Sequence, residues 1–470
     1  AAPADARGRI TFTAADKVRL FKVNGGQFTA IQSGATLSLT EIKSGVELAI
    51  EGRDIVRNPN VWNGFVDVTL TVTAEGKTGT DKVRMRVSPV MTYHHALTAE
   101  QTWVSRLNAA GNLAMRNDLA AAADAAGVDP PIEIRTSDPW TQDFFEPGFM
   151  SMPAQGGKQH VIRVNIRSAN IQYNDWRNPL RDAGRVVFAL RGKDVAAIQE
   201  YDPQRGGQHD TLNSFGNFET VPPYTHDGQS FPLGRVIRGN TPSFFTDKAF
   251  TRMMEGQRVQ PPIYVDTSWL LVAHIDETIS FVKANTPRGW VMLVNDAKLA
   301  YDMLVQQSDA GRGNVPMHVG KYWSDGVSAR ATIDQVLADP DVMASSAEAV
   351  HEVDAQVAKI KAETGLTNAE IIRIPFLHMP IDGLSIAYQP GMVNGLYLAD
   401  GHFVAPDPHG PVINGQDIFK VAMRNALAPL GIAVHFAEDW DTYHRNMGEV
   451  HCGTNSTRRI PSAKWWESGR

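Results

Sequence analysis

The sequence predicts a mixed α/β protein in two parts, a small all-β domain over residues 1–90 and a larger α/β domain over residues 91–470. Two observations support this division. Before residue 90, apolar and polar residues alternate with a period of two, which is typical of strands that bury one face. After residue 91, helical and strand-like segments follow one another in turn, which favours an α/β architecture.

The N-terminal part is expected to be a small β-sandwich of immunoglobulin type. Its alternating apolar residues are Val66, Val68, Leu70 and Val72, and then Val83, Met85 and Val87. Glycine-containing turns at residues 24–26, 33–34 and 75–76 separate the predicted strands. Since this part contains no group of catalytic residues, we expect it to serve for docking or stability.

The larger part contains three helical stretches. Residues 98–101, Thr-Ala-Glu-Gln, have the pattern of a capping box and predict a helix that runs toward Gly127. A second stretch covers residues 328–365 with a break at 339–340, and a third covers residues 416–430. Strands are predicted at residues 161–166, 185–190, 269–282, 290–294 and 432–436.

Composition excludes several classes of protein. The chain has 45 Lys and Arg against 51 Asp and Glu, a net charge of −6, so it offers no broad cationic surface and we expect no nucleic-acid partner. A hydrophobic content of 43% argues against disorder. Since no run of about 18 apolar residues occurs, no membrane span is expected.

Cys452 is the single cysteine of the chain, so no intramolecular disulfide can form. By itself this favours a reducing compartment. The chain begins Ala-Ala-Pro-Ala without Met, which resembles a mature end left by a signal peptidase. On that pattern we expect a secreted protein.

A first pair of candidate residues is His274 and Asp276, within an apolar segment predicted as a strand. A spacing of two places both side chains on one face of such a strand. Two ionisable groups there are costly unless they are paired or used, so the pair is either structural or catalytic.

A second group lies in residues 138–146, Asp-Pro-Trp-Thr-Gln-Asp-Phe-Phe-Glu. The oxygens of Gln142, Asp143 and Glu146 suit a hard cation such as calcium. A carboxylate beside Trp140 could equally hold a cationic substrate, and a solvated turn is the plain alternative. Residues 213–219 could add the carboxylate of Glu219 and backbone carbonyls to the same ion.

Cys452 itself lies in residues 448–455, Gly-Glu-Val-His-Cys-Gly-Thr-Asn, where a turn follows an extended segment. A thiol there is either an inert buried side chain or an accessible nucleophile, activated by His451 or by a remote histidine. A thiol, a histidine and two aspartates together fit attack on a planar guanidinium, which carboxylates bind in bidentate fashion. Acyl transfer would need an oxyanion hole rather than two anions.

These motifs closely resemble those of protein-arginine deiminases and keep the same order along the chain. The resemblance rests on residues 138–143, 214–219, 231–235, 272–277, 448–455 and 464–466, and it covers residues 91–470. It implies a five-fold pseudo-symmetric α/β propeller of the pentein type, preceded by an immunoglobulin-like domain.

The resemblance also implies roles for individual residues. The reaction would convert peptidyl-arginine and water to peptidyl-citrulline and ammonia through a covalent amidino-thioether. The implied roles are nucleophile for Cys452, general acid and base for His274, guanidinium clamp for Asp143 and Asp276, contact with the aliphatic stem for Trp140, and contact with the substrate backbone for Arg177. A second arginine of the family is replaced by Pro179 here.

Calcium is the cofactor that the resemblance implies. Its ligands would be the side chains of Gln142, Glu146 and Glu219 and the carbonyls of Phe215 and Phe218. A second site would need a carboxylate where this chain has Phe144. We therefore expect fewer ions and a weaker calcium requirement.

Two other functions remain open at this point. One is a hydrolase or amidinotransferase that acts on free arginine or another small guanidine with the same four residues. The other is an inactive secreted scaffold that binds calcium or cationic peptides. The presence of a nucleophile argues against the scaffold, because a binding module does not need one.

Overall fold

A computed structural model of the chain describes residues 2–172, 177–204, 210–242 and 245–469. The architecture is mixed α/β, as predicted. Among the described residues, no helix is both long and apolar enough to cross a membrane.

The N-terminal region consists of two antiparallel sheets around one apolar core. One sheet has the strand order Ala35–Leu37, Arg7–Phe12, Phe65–Ala74 and Lys77–Arg86, and the other has the order Gln27–Ile31, Val18–Asn24 and Glu47–Gly52. A short helix, Leu39–Ser44, begins at the capping box of Ser38 and Glu41. The core between the sheets contains Ile10, Phe12, Val18, Leu20, Leu37 and Val66.

In the described residues that follow this region, one unit occurs five times. In each unit a central strand pairs antiparallel with one neighbour and parallel with the other. The central strands are Ala99–Arg106, Gln159–Arg167, Arg235–Asn240, Trp290–Asp296 and His402–Pro406. Their antiparallel partners are Thr454–Arg458, Phe145–Pro153, Glu219–Val221, Ile279–Lys283 and Leu396–Ala399. Their parallel partners are Ile132–Arg135, Val195–Ile198, Ile263–Asp266, Ile371–Pro375 and Ala433–Ala437.

Each crossover to the parallel strand contains at least one helix, because two parallel strands cannot be joined by a tight turn. The crossover helices are, in unit order, Ala110–Ala125, Val186–Ala189, Lys248–Gly256, then Ala297–Gln307, Ile333–Ala338 and Pro340–Thr364 together, and Ile418–Leu427. The sheet of the first repeated unit is completed by the last strand of the chain, Thr454–Arg458, which pairs with Ala99–Arg106. That pairing places Cys452 next to segments from the start of the domain.

Shorter elements complete the structure. The two-stranded pairs are Tyr224–His226 with Gln229–Phe231, Pro316–Met317 with Ala331–Thr332, His378–Ile381 with Leu384–Ala387, and Val412–Ile413 with Gln416–Asp417, and Met91–Thr92 pairs with Phe145–Pro153. The remaining turns of helix are Thr141–Phe144, Gln155–Gly157, Asp182–Arg185, Phe215–Asn217, Ile275–Glu277, Ser308–Arg312, Asn368–Glu370, Ala428–Leu430, His444–Asn446 and Trp465–Glu467.

Two predicted helices have clear local causes. Pro340–Thr364 begins after the side-chain cap of Asp339, with proline in its first turn, and ends at Gly365 in the left-handed conformation. Ile418–Leu427 buries Phe419, Met423 and Leu427, which are spaced four residues apart and form one face of the helix. The break predicted at 339–340 is therefore confirmed.

Three predicted elements are wrong. Residues 98–101 do not start a helix: Ala99–Arg106 is a strand, and the helix begins at Ala110. Pairing with strands on both sides outweighs the local capping pattern. Residues 185–190 are helical rather than extended.

The segment 269–282 is a strand only from Ile279 onwards. His274 and Asp276 lie on a tight turn, Ile275–Glu277, after Ala273 with a φ of 63°. They are therefore not on one face of a strand, and a different geometry brings them together.

Candidate active site

Five segments, one from each repeated unit, meet at one point. Each lies immediately before the first strand of its unit, the strand that pairs antiparallel with the central one. The residues that they bring together are Asp143, Gly216, Asp276, Asn394 and Cys452. Four of the five have polar or ionisable side chains, and all five residues are buried.

Two carboxylates and an imidazole face each other in this cluster. His274 Nδ1 lies 3.8 Å from Asp143 Oδ1 and 4.0 Å from Asp276 Oδ1. Each of these three atoms is buried without a hydrogen-bond partner. Buried polar atoms normally have partners, so three that converge without one indicate the place of a ligand rich in N–H groups.

The tautomer of His274 follows from its other nitrogen. Nε2 lies 2.8 Å from the carbonyl oxygen of Thr211, and a carbonyl can only accept, so Nε2 carries a proton. Nδ1 is therefore the atom that can exchange a proton with a ligand. The backbone N–H of His274 donates to Glu277 Oε1 at 2.8 Å, which holds the turn in place.

The Cys452 sulfur lies beside the second carboxylate, with Sγ 3.5 Å from Asp276 Oδ2. Burial and the charges of Asp276 and Asp143 raise the pKa of the Cys452 thiol well above its usual value. A cation bound between the two aspartates would oppose this effect, because it would cancel the charges that disfavour the thiolate.

Asn394 organises the loop of the nucleophile, and sequence reasoning missed it. Its Oδ1 accepts from the backbone N–H groups of His451 and Cys452 at 3.1 and 3.3 Å. Its Nδ2 donates to the carbonyl oxygen of Asp276 at 3.0 Å and lies 3.4 Å from Sγ. The only signal in the sequence is an Asn-Gly pair, which indicates a turn and nothing about catalysis.

Gly216 leaves the space at the centre of the cluster open. A Cβ at this position would lie 2.5 Å from His274 Nδ1 and 3.1 Å from both Asp143 Oδ1 and Asp276 Oδ2. The backbone of Gly216 thus passes directly beside two of the atoms that face the ligand, His274 Nδ1 and Asp143 Oδ1, and beside the other oxygen of Asp276.

Arg181 is a second residue that sequence reasoning missed. Its Nε and Nη2 donate to Asp138 at 2.6 and 2.8 Å, and its Nη1 donates to Asp143 Oδ2 at 3.1 Å. Burial raises the pKa of Asp143, while the positive charges of His274 and Arg181 oppose that rise. Arg181 therefore occupies one oxygen of the carboxylate and leaves Oδ1 free.

The predicted substrate contacts lie at the edge of the cluster. Trp140 packs edge-to-face on Tyr443, with ring centroids 5.7 Å apart, and lies so close to Gly448 that a Cβ there would be 2.3 Å from its ring. Arg177 is exposed, four residues before Arg181, and residues 173–176 beside it lie outside the described residues.

The predicted calcium ligands lie together behind the cluster. Gln142 Nε2 donates to Glu146 Oε2 at 2.9 Å and to the carbonyl of Phe215 at 3.3 Å. Burial and the charge of Glu219 raise the pKa of Glu146 well above its usual value. Glu219 Oε1 is buried without a hydrogen-bond partner, and Phe218 is buried next to it in the chain. Two adjacent buried carboxylates with a free oxygen fit a cation.

Phe144 occupies the position where a second calcium site would need a carboxylate. Its side chain is fully buried and stacks on Phe145, with ring centroids 5.7 Å apart. An apolar core residue offers no ligand there.

Sequence comparisons with known proteins point to one family. The sequence model of the protein-arginine deiminase family matches residues 77–467. The chain is 31% identical to type-3 protein-arginine deiminase of Homo sapiens over 82% of this chain and 56% of the relative, and 31% identical to the human type-4 protein over 72% and 49%. It is 29% identical to the type-1 protein of Mus musculus over 83% and 57%. The chain thus spans a little over half the length of the relatives it matches. A solved structure described as an agmatine deiminase aligns with a TM-score of 0.41 at 11% identity, over 80% of this chain and 98% of that one.

Proposed function

Because the chain belongs to the protein-arginine deiminase family, we propose that it hydrolyses arginine side chains of proteins or peptides to citrulline and ammonia. One observation carries the proposal: the sulfur of Cys452 lies 3.5 Å from Asp276, in a cluster where inward-facing atoms of Asp143, His274 and Asp276 have no hydrogen-bond partner. A guanidinium supplies the N–H groups and the positive charge that such a site lacks.

Binding would come first. The free oxygens of Asp143 and Asp276 accept N–H groups of the guanidinium, and the aliphatic stem of the arginine runs past Trp140. The bound cation lowers the pKa of the Cys452 thiol, so the substrate itself promotes formation of the thiolate. Binding and activation are therefore coupled through charge.

The chemistry then follows in two displacements. Sγ forms a bond to the central carbon of the guanidinium, and the bond from that carbon to one terminal nitrogen breaks. His274 Nδ1 gives that nitrogen its proton, and ammonia leaves. Water gives one proton to His274 as its oxygen attacks the carbon of the amidino-thioether. The C–S bond then breaks, and the remaining hydroxyl proton passes to the departing sulfur, which releases citrulline and the thiol.

We further propose calcium as the cofactor, held by Gln142, Glu146 and Glu219 and by the carbonyls of Phe215 and Phe218. When bound, the ion would supply the positive charge that allows two buried carboxylates to stay ionised side by side. Support comes from the free oxygen of Glu219 and the raised pKa of Glu146.

For the fold, the proposal is a closed five-fold propeller of the pentein type over residues 91–470, with an immunoglobulin-like domain before it. Support comes from the five repeated units and from the pairing of the last strand with the first unit. This closure would hold the five segments of the site around one axis.

The deciding experiment incubates the protein with an arginine peptide blocked at both ends, and separately with free arginine, and measures citrulline by mass spectrometry. We expect the peptide to be converted by the wild-type protein and not by Cys452→Ala. Conversion of free arginine alone would favour the small-guanidine alternative. Peptide binding without conversion would favour the inactive scaffold.

Calcium is tested separately by thermal unfolding. Calcium at a hundred times its Kd should stabilise the chelated protein by about 2.7 kcal/mol, since it binds only the folded state. Glu219→Gln should lose this gain, while Glu348→Gln, at an exposed helix position, should keep it. An unfolding curve that calcium leaves unchanged would remove the ion from the proposal.

A further inference from the structure

A cluster of three buried side chains lies behind the nucleophile, made of His95, Glu219 and His451. Each offers one ligand atom, and the three atoms lie within 4.8 Å of one another. His95 Nε2 is hydrogen-bonded to Glu219 Oε2, and His451 Nε2 lies 3.6 Å from Glu219 Oε1. The two imidazole rings are tilted by 52° to each other, with centroids 5.3 Å apart.

The donor set differs from that of a calcium site. Two imidazole nitrogens and one carboxylate oxygen suit zinc and the other divalent transition metals, whereas calcium takes oxygen ligands. Neighbouring ligands of a tetrahedral metal with bonds near 2.05 Å are about 3.3 Å apart. The 3.6 Å separation between His451 and Glu219 is close to that edge length.

The burial of these three side chains and the unpartnered oxygen of Glu219 indicate the place of a ligand. All three side chains are more than nine-tenths buried, and Glu219 Oε1, which faces His451, has no hydrogen-bond partner. Glu146 lies close enough for its carboxyl group to repel that of Glu219, and Arg458 partly offsets this repulsion. A divalent cation would satisfy the free oxygen and balance the two carboxylates.

The second ring nitrogen of His451 contacts a carboxylate, an interaction that orients many metal-bound histidines. Its Nδ1 lies 2.9 Å from Asp276 Oδ2, so Nδ1 carries a proton toward this carboxylate and leaves Nε2 free to accept a metal. The carboxylate–histidine–metal sequence would thereby link the cluster to the residue beside the Cys452 sulfur.

We propose that His95, Glu219 and His451 form a site for a divalent transition metal of the zinc class, which shares Glu219 with the ligands proposed for calcium and adds two imidazole nitrogens. Both ions would use Glu219, so each excludes the other. The exclusion rests on the proposed calcium site, but binding of the transition metal does not.

The test uses the full chain, stripped of metal with a chelator and titrated with cobalt(II), whose visible absorption reports coordination by fewer than six ligands. We expect one equivalent to bind, and His95→Gln to abolish the signal. The matched control is His435→Gln, because His435 forms a second, partly exposed histidine pair with His402 at 3.0 Å. That variant should keep the signal.

Loss of the signal in His435→Gln with retention in His95→Gln would overturn the proposal and assign cobalt to the surface pair. Equal signals in all three proteins would also overturn it. If His95→Gln does not fold, X-ray absorption of cobalt bound to His435→Gln decides: two imidazole ligands support the site, and none refutes it. Calcium should displace cobalt, and cobalt binding unaffected by calcium would reject only the shared use of Glu219. Citrulline production is measured apart from these signals, so failure of the metal site and failure of the proposed reaction are distinguishable.

Discussion

Gly216→Ala is the substitution that tests the geometry of the site most sharply. The added methyl group would lie 2.5 Å from His274 Nδ1 and 3.1 Å from Asp143 Oδ1, two of the three atoms that face the substrate. To restore ordinary van der Waals contact at 3.4 Å, the imidazole would have to retreat by about 0.9 Å. Since a misplacement of about 1 Å can cost about a hundredfold in rate, we expect kcat/KM to fall by about that factor, or about 2.7 kcal/mol of transition-state stabilisation.

The assay is citrulline release from a blocked arginine peptide, with a thermal unfolding curve recorded on the same sample. Gly216 does not have a positive φ, so backbone strain does not contribute to the effect. Gly192→Ala is the control, because a Cβ there meets nothing within 4 Å. A Gly216→Ala protein with the wild-type kcat/KM would refute the position that we assign to the guanidinium.

Three further predictions concern single side chains. Asn394→Ala removes the acceptor of two buried N–H groups beside the nucleophile. The free energy of unfolding should fall by about 1–3 kcal/mol, and kcat should fall as well. Unchanged values of both would contradict the role of Asn394. Arg181→Met removes the charged donor from the buried carboxylate of Asp143 and from the half-buried carboxylate of Asp138, and should cost about 3 kcal/mol of stability. Arg181 also opposes the rise in the pKa of Asp143, so in Arg181→Met this pKa should be higher than in the wild type. Because Asp143 must be ionised to bind the guanidinium, kcat/KM should begin to fall at a higher pH on the acid side. A pH profile of kcat/KM identical to that of the wild type would refute this. Burial raises the pKa of Glu449 from 4.5 to about 8, so the folded state holds this proton over a pH range in which the unfolded state has lost it. Wild-type stability should therefore decline as pH rises from 4.5 to about 8 and level off above that. Glu449→Gln should decline less, and identical curves from chemical denaturation would contradict this.

The residues of the candidate site could be predicted from the sequence, but their geometry could not. Residue types alone grouped Cys452, His274, Asp143 and Asp276 as candidates for one reaction. The reason given for the pairing of His274 and Asp276 was wrong, because they lie on a tight turn and not on a strand. The segments that meet are separated by up to about 300 residues, and only the repeated unit brings them together.

The repeat itself is hidden in the sequence for a physical reason. Its crossovers range from the four-residue helix Val186–Ala189 to a stretch of three helices before Ile371–Pro375, so no fixed period exists. The last strand of the chain also completes the first unit, and this long-range pairing turned the expected helix at residue 98 into a strand. Asn394 escaped notice for the same reason: its importance comes from its position before the first strand of a unit, not from a motif.

The most direct test of the account is the covalent state of Cys452 during turnover. Wild-type protein mixed with a blocked arginine peptide is quenched in acid, digested and analysed by mass spectrometry. We predict that Cys452 carries the substrate less one ammonia while citrulline accumulates. Full turnover with Cys452 unmodified, together with an active Cys452→Ala protein, would contradict the central claim.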